Sequence, residues 1–403
     1  PRWLLLAVAG SKRVRLMQAA CSNLGLPACE VLEWRDWLLQ PHLLEARLQE
    51  MQQRQQVQAH DGPAPRVVFK IEPPGDDPQA HHHLLRDGCR LLDRPLPSMA
   101  EYGQLQAMDC WFAGFEAAMQ RLARQLAAQA ASPLSPRLSA QLPPLSRLAV
   151  INAPSEIILM TDKLRCQQHL AACDIPIPPL FGALSGYDEM RELMARQQCG
   201  RVFLKARYGS SAAGVLAYRR TPDGREQAIS SAQLQGCGSA ARLFNSKRMQ
   251  RYHDSRQIAE LIGLLCRQQA YLEAWIAKPR LGPAHFDVRV VTLAGRAAHR
   301  VARIGEFAMT NLHLGNRRGN PEALLAPLQG QQMQQLQQLA EQAARAFPAS
   351  GIIGFDLVPG QGGARVLEAN AFGDLLPGLL WQGQDSHGAQ LQAHWQAQLQ
   401  VPA

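Results

Sequence analysis

After residue 200 the chain is dominated by seven short apolar runs: RVFLKA, GVLAYRR, QAYLEAWI, FDVRVVTLAG, RAAHRVARIG, GIIGFDLV and ARVLEANA. Runs of this length, rich in Val, Ile, Phe and Tyr and separated by Gly, Pro and polar residues, read as strands. Two helical stretches interrupt them, around 255–268 and 330–347. The second contains GQQMQQLQQLAEQ, whose Met and Leu recur at helical spacing, so its glutamines belong to a solvated helix face.

The first part of the chain is organised differently. WLLLAVAG, ACEVLEW and RVVFKIEPPG alternate with helical stretches around 12–24 and 42–58. That order predicts βαβ units and a small, largely parallel sheet. A long helix is expected over 105–130, and ASPLSPRLSAQLPPLSR, residues 131–147, has the Pro/Ser density of a linker, which places a domain boundary near 148. Beyond it, LAVINAP reads as a buried strand. TDKLRCQQHLAACDI reads as a helix with Thr161 as its N-cap, ended by PIPPL. AHHHLLR at 80–86 reads as a mobile or partner-facing loop rather than a metal site, because three adjacent histidines do not share a face. The charged turn KIEPPGDD at 70–77 is placed to line a cleft between domains.

Composition narrows the function classes. At 403 residues the chain suits two or three domains. Its +9 net charge, 42 Lys+Arg against 33 Asp+Glu, makes an anionic partner plausible. The basic residues are scattered, without the like-charge block of a nucleic-acid arm, so a nucleotide or acidic small molecule is expected rather than a nucleic acid. Nine cysteines with no C-x-x-C spacing fit reduced thiols in a cytoplasmic protein. No apolar window is long enough for a membrane span.

Three segments can carry chemistry. In GIIGFDLVPGQGGARVLEANAFG two strands flank a Gly-rich turn. If Val358 pairs with Ala364, Asp356 lies opposite Val366 and diagonal to Glu368, while Glu368 and Asn370 point the same way. The three oxygen-bearing side chains then converge as hard ligands of the kind Mg²⁺ takes, or else they are polar residues of a solvated strand face. In FLKARYGSSAAGV, Lys205 precedes a loop, Gly209-Ser210-Ser211-Ala212-Ala213-Gly214, whose small side chains let backbone N–H groups approach an anion; a hairpin loop with a chance lysine is the alternative. Between these lie Glu273, Lys278, Asp287, Arg289, Arg303 and Asn311. Asp287 and Arg289 share a strand face, where fixed cations can stabilise phosphoryl or acyl-phosphate oxygens, or else these charges form surface ion pairs.

The order TDKLR, FLKARYGSSAAGV, YLEAWI, FDVRVV, MTNLHLGN, GFDL and VLEANAFGDLLPG resembles the ATP-grasp superfamily, most closely its RimK-like ribosomal-protein glutamate ligase branch, over about 150–380. The resemblance implies an α/β (α+β) chain: an N-terminal βαβ pre-ATP-grasp domain at 1–148, a central lid subdomain at 149–271, and a C-terminal subdomain with a Mg²⁺-binding hairpin at 272–403. It implies that Lys163 and Lys205 hold ATP phosphates under the 209–214 flap (Gly209, Ser210, Ser211, Gly214). Glu273, Ala274, Trp275 and Ile276 then form the hinge that reads adenine, and Asp287 lies near the ribose. Asp356, Glu368 and Asn370 become Mg²⁺ ligands, with Arg289, Arg303 and Asn311 near the triphosphate and the acyl phosphate. Met309 replaces a common arginine and Ala274 a common acid, departures that bear on substrate identity.

The implied activity is ATP-dependent joining of a carboxylate and an amine through an acyl phosphate, on an amino acid or peptide, with ATP and Mg²⁺ as cofactors. A small-molecule kinase, or a nucleotide-binding regulator without turnover, is the competing reading. The sequence leaves open both substrates and whether the chain forms a homodimer.

Overall fold

The computed structural model describes residues 2–58, 67–75, 77–98, 100–131, 148–209, 212–325, 331–360, 362–373 and 376–399. It contains three sheets. The first has strands β1 (Arg2–Ala7), β2 (Glu30–Glu33), β3 (Val67–Ile71) and β4 (Leu148–Val150), all parallel, in the order β2-β1-β3-β4. The buried runs LLLA and VVFKI have helices on both sides, as parallel strands require. β4 follows the Pro/Ser-rich stretch, whose residues 132–147 lie outside the described residues, and it still pairs with β3.

The second sheet is antiparallel and comprises β5 (Leu180–Ala183), β6 (Arg201–Ala206), β7 (Val215–Arg220), β8 (Glu226–Gln235), β9 (Arg242–Tyr252) and β10 (Ala270–Ala274), in the order β5-β10-β6-β7-β8-β9. β10 returns to sit between β5 and β6, so the division expected at 271/272 cuts through a strand of this sheet. One face packs on the helices Tyr187–Arg196 and Ser255–Arg267. The third sheet holds the short β11 (Arg280–Leu281), β12 (Ala284–Leu293), β13 (Arg296–Gly305), β14 (Arg317–Gly319), β15 (Ile352–Val358) and β16 (Arg365–Asn370), in the order β14-β13-β12-β15-β16 with β11 on β12. The glutamine-rich helix Gln331–Arg345 turns Met333, Leu336, Leu339 and Ala340 into its core.

Two local expectations are corrected. The histidine run lies in a helix, Pro78–Leu91, because Asp77 caps its first N–H groups and Pro78 opens it; His81 stacks on Trp111. That helix crosses Met108–Ala131 so closely that a Cβ on Gly88 would stand 1.7 Å from the Cys110 carbonyl oxygen. The helix Lys163–Ala172 is capped by Asp162, whose carboxylate accepts from the Arg165 N–H, because Thr161 ends the preceding helix and bonds back to the Ile157 carbonyl. The nine cysteines form no disulfide. Among the described residues no helix is long and apolar enough to cross a membrane.

The charged side chains at the start of the turn after β3 are buried rather than open to solvent. Lys70 and Glu72 are each 2% exposed and paired with one another. His387, the second residue of the helix Ser386–Leu399, is buried beside them. Burial, and then the Lys70 ammonium, push the His387 imidazole down to about 4, against smaller upward pulls from Glu72 and Asp385 and a further downward push from Arg13. The folded state therefore holds His387 neutral where the unfolded chain protonates it. Above pH 6.5, the ordinary value, both states are neutral at this position and stability is undiminished; as pH falls from 6.5 toward 4 the unfolded chain takes up a proton that the folded state does not, and stability is lost. Urea unfolding at pH 7 and 4.5 is expected to show wild type losing about 2–3 kcal/mol more than His387→Gln. Equal losses would contradict this.

Candidate active site

Residues directly opposite in an antiparallel pair share a face, and this brings the charged side chains of the third sheet together. Asp287 pairs with Arg303, Arg289 with Asp356, and Asp356 with Glu368. The last pairing corrects the expected register. Val358 faces Arg365 and Leu357 faces Val366, and a bulge that leaves Leu367 without an opposite residue puts Glu368, not Val366, across from Asp356. Asn370 stands opposite Gly354 and spends its Nδ2 on the Gly354 carbonyl at 3.0 Å, which leaves Oδ1 as its available acceptor.

Asp287 is a hub. Its oxygens accept from Arg303 Nε at 2.7 Å and Nη2 at 2.8 Å, from Lys278 Nζ at 2.7 Å and from Thr310 Oγ1 at 2.6 Å. It is fully buried, and although burial opposes its charge, the Arg303 and Lys278 cations outweigh that and hold its carboxyl below the usual range. The structure thus spends Asp287 on orienting cations, where the resemblance had placed it near a ribose. Arg303 reaches on to Asp356 at 2.9 Å, and Arg289 also donates to Asp356. Removing one member of such a buried set strands the others, so Asp287→Ala is expected to cost about 3–5 kcal/mol of stability. A loss under 1 kcal/mol by urea titration would show that Lys278 and Arg303 find other partners.

Two lysines approach this strip from other elements. Lys163, the first residue of its helix, pairs with Glu368. Its backbone N–H donates to the Arg207 carbonyl at 3.1 Å, and the Arg207 guanidinium grips both oxygens of the capping Asp162 at 2.7 Å each, so Lys163 is tied to the end of β6, the strand that carries Lys205. Lys205 projects from β6 and meets Glu273 of β10 at 2.5 Å. Lys163, Lys205, Gln167, Tyr271 and Glu368 line one narrow cleft. Burial opposes charge on Glu368, but the charge and hydrogen bond of Lys163, together with Lys205 and Arg289, outweigh it and bring its carboxyl to about 2. Glu273 is different: burial raises it, and Lys205 only partly offsets this. Glu273 Oε2 and Gln167 Oε1 are buried with no hydrogen-bond partner among the described residues, an acceptor surplus beside two lysines.

The two glycines that bound the 209–214 stretch sit in tight surroundings. Gly214 has φ +66°, and a Cβ there would meet Ala206 Cβ at 2.7 Å. Gly209 would place a Cβ 2.5 Å from the Ala213 carbonyl oxygen, while Ser210 and Ser211 lie outside the described residues. Below the loop the face of the second sheet is apolar: Phe203, Val215 and Ala217 pack with Met309, half-buried Trp275 and Leu314. The Phe203 and Trp275 rings are 5.3 Å apart. In the 273–276 segment the Ala274 N–H is used on the Pro179 carbonyl at 2.9 Å and the Trp275 N–H on Arg201 at 3.4 Å. Asn311 caps a short turn, accepting from the His313 N–H, and stands outside the ion cluster. Its neighbour Thr310 is inside it. Thr310, Asp162 and Arg207 carry no signal of their own in the sequence; the cue to each is its place near a candidate residue, Asn311, Lys163 and Lys205 respectively.

No protein-family model matches the chain, and no curated protein does. Solved structures similar to it include the D-cycloserine synthetase DcsG, at 15% identity over 98% of this chain and 99% of that one, with a TM-score of 0.49. The ATP-grasp ligase PsnB complexed with precursor peptide PsnA2 and AMPPNP matches at 13% identity over 97% and 96%, with a TM-score of 0.46. A RimK domain ATP-grasp protein from Sphaerobacter thermophilus matches at 15% identity over 93% and 92%, with a TM-score of 0.40.

Proposed function

We propose that the chain is an ATP-dependent carboxylate–amine ligase of the ATP-grasp kind, acting on a small-molecule or peptide carboxylate. One observation carries the reading: Lys163, paired with Glu368, and Lys205, paired with Glu273, come from separate elements to line one cleft with Glu368, which stands opposite Asp356 on the strand face that also carries Arg289 and Arg303. Fixed cations gathered beside paired carboxylates suit a reaction whose main demand is neutralising phosphoryl charge.

The donor chemistry fits Mg²⁺. Among the described residues no three His, Cys, Asp or Glu side chains form a metal cluster, but Asp356, Glu368 and the free Oδ1 of Asn370 supply two carboxylates and an amide oxygen. Magnesium commonly takes such hard oxygens together with substrate phosphates. When bound, Mg²⁺ supplies neutralisation of phosphate oxygens and helps orient the transferred group.

The chain's own residues do the rest. Lys163 and Lys205 bind phosphate oxygens from two sides. The apolar face of Phe203, Val215 and Ala217 takes a flat nucleobase. A substrate carboxylate oxygen attacks the γ-phosphorus and the bond to ADP breaks, giving an acyl phosphate. An amine nitrogen then attacks the acyl carbon, phosphate leaves with the C–O electron pair, and the nitrogen gives its proton to solvent. Arg289 and Arg303, held by Asp356 and Asp287, meet the charge on these oxygens without reorganising at the moment of reaction. No serine or cysteine nucleophile is required. The test is ADP release measured against a panel of carboxylates and amines: a ligase needs one of each and releases free phosphate. ADP formed from a single hydroxyl compound, with a phosphorylated product and no free phosphate, would replace this reading with a kinase.

A further inference from the structure

We infer that Arg13 and Asn152, from the N-terminal part of the chain, are positioning residues for the oxygen-bearing end of β16. The inference rests on the reading of Glu368 and Asn370 as metal ligands. β16 ends at Asn370, and the carbonyls of the next two residues are each held by one of these side chains. Asn152, 3% exposed, donates through Nδ2 to the Ala371 carbonyl and to that of Ile352 at 2.7 Å, while its Oδ1 accepts from the Ile352 N–H at 3.1 Å. One side chain therefore clasps the start of β15 to the end of β16, closing the open end of the hairpin that carries Asp356, Glu368 and Asn370.

Arg13, in the first turn of the helix Lys12–Asn23, holds the following carbonyl. Its Nη1 donates to the Phe372 oxygen at 2.9 Å and to Glu72 Oε2 at 3.2 Å. The Glu72 carboxylate is fixed in turn by Lys70, while Trp34 Nε1 holds only the Glu72 backbone oxygen, at 2.8 Å. Buried ionic groups add little to stability over apolar side chains of the same size. What the Lys70, Glu72 and Arg13 set provides is a donor aimed at one carbonyl, two residues beyond Asn370. Outer contacts of this sort set metal affinity, and their loss typically costs 10–100-fold.

Mn²⁺, whose free form is read directly by electron paramagnetic resonance, is titrated into the full chain with AMP-PNP. Arg13→Met, Asn152→Leu, Arg13→Lys and Trp34→Phe are compared with wild type, and thermal unfolding is recorded for each. Trp34→Phe serves as the control, because it breaks a bond to Glu72 but touches neither carbonyl. Arg13→Met and Asn152→Leu are expected to weaken Mn²⁺ binding about tenfold, Arg13→Lys to recover part of it, and Trp34→Phe to bind as wild type despite a lower Tm. Asn152 is buried, so if its variant does not fold, Arg13→Met, at a side chain 19% exposed, decides the matter. Wild-type Mn²⁺ affinity in a folded Arg13→Met would overturn the inference alone. Absence of Mn²⁺ binding by wild type would overturn the metal-site reading and the inference with it.

Discussion

Lys205→Ala is expected to lower ATP-dependent turnover by at least about a hundredfold and to leave the fold nearly as stable as wild type. The two halves of that result have separate causes. Among the described residues Lys205 is one of two lysines lining the narrow cleft, so its loss removes half of the ammonium charge available to a phosphate there. Its partner Glu273 would be left buried, but that carboxyl is already pushed upward by burial and can protonate instead of staying charged. Steady-state kinetics paired with thermal unfolding checks both. Normal turnover would remove Lys205 from the site, and a collapse of the fold would make its pairing with Glu273 a structural requirement.

The second large effect concerns the hairpin. Asp356→Asn combined with Glu368→Gln is expected to abolish turnover, by about a thousandfold or more, and to remove its dependence on Mg²⁺. Glu368→Gln alone should fold well, because Lys163 is partly exposed and can turn to water. Asp356→Asn also weakens the hold on Arg289 and Arg303, so the double variant is expected to be less stable by about 3–5 kcal/mol. Residual activity is therefore assayed well below its unfolding temperature across a Mg²⁺ series. An unchanged Mg²⁺ half-saturation would exclude this pair as ligands.

The hairpin was legible because its signals are local: apolar runs on either side of Gly-rich residues, with acids two or a few positions apart. Its register was not, because a bulge at Leu367 is set by how the two strands twist together and leaves no mark in the side-chain pattern. Asp162 and Thr161 are both good caps, and only the ending of one helix at Thr161 selects Asp162 for the next. The histidine helix could have been read from Asp77-Pro78, a capping residue followed by the proline that favours a first helical position. Other features had no local signal at all. Asn152 meets Ile352 across 200 residues and Arg13 meets Phe372 across 359, and neither stands in a pattern of charge or spacing that marks it. Thr310 is a neutral residue whose place on Asp287 depends on a loop returning over β12.

A charged strip that activates a carboxylate with ATP must pass a carboxylate oxygen to phosphate. The most direct measurement supplies a coupled carboxylate and amine pair with the carboxylate oxygens labelled by ¹⁸O, and reads the released phosphate by mass spectrometry. One ¹⁸O atom in each phosphate is the predicted result, because the carboxylate oxygen bonded to phosphorus departs with it when the amide forms. Free phosphate carrying no label would contradict the account.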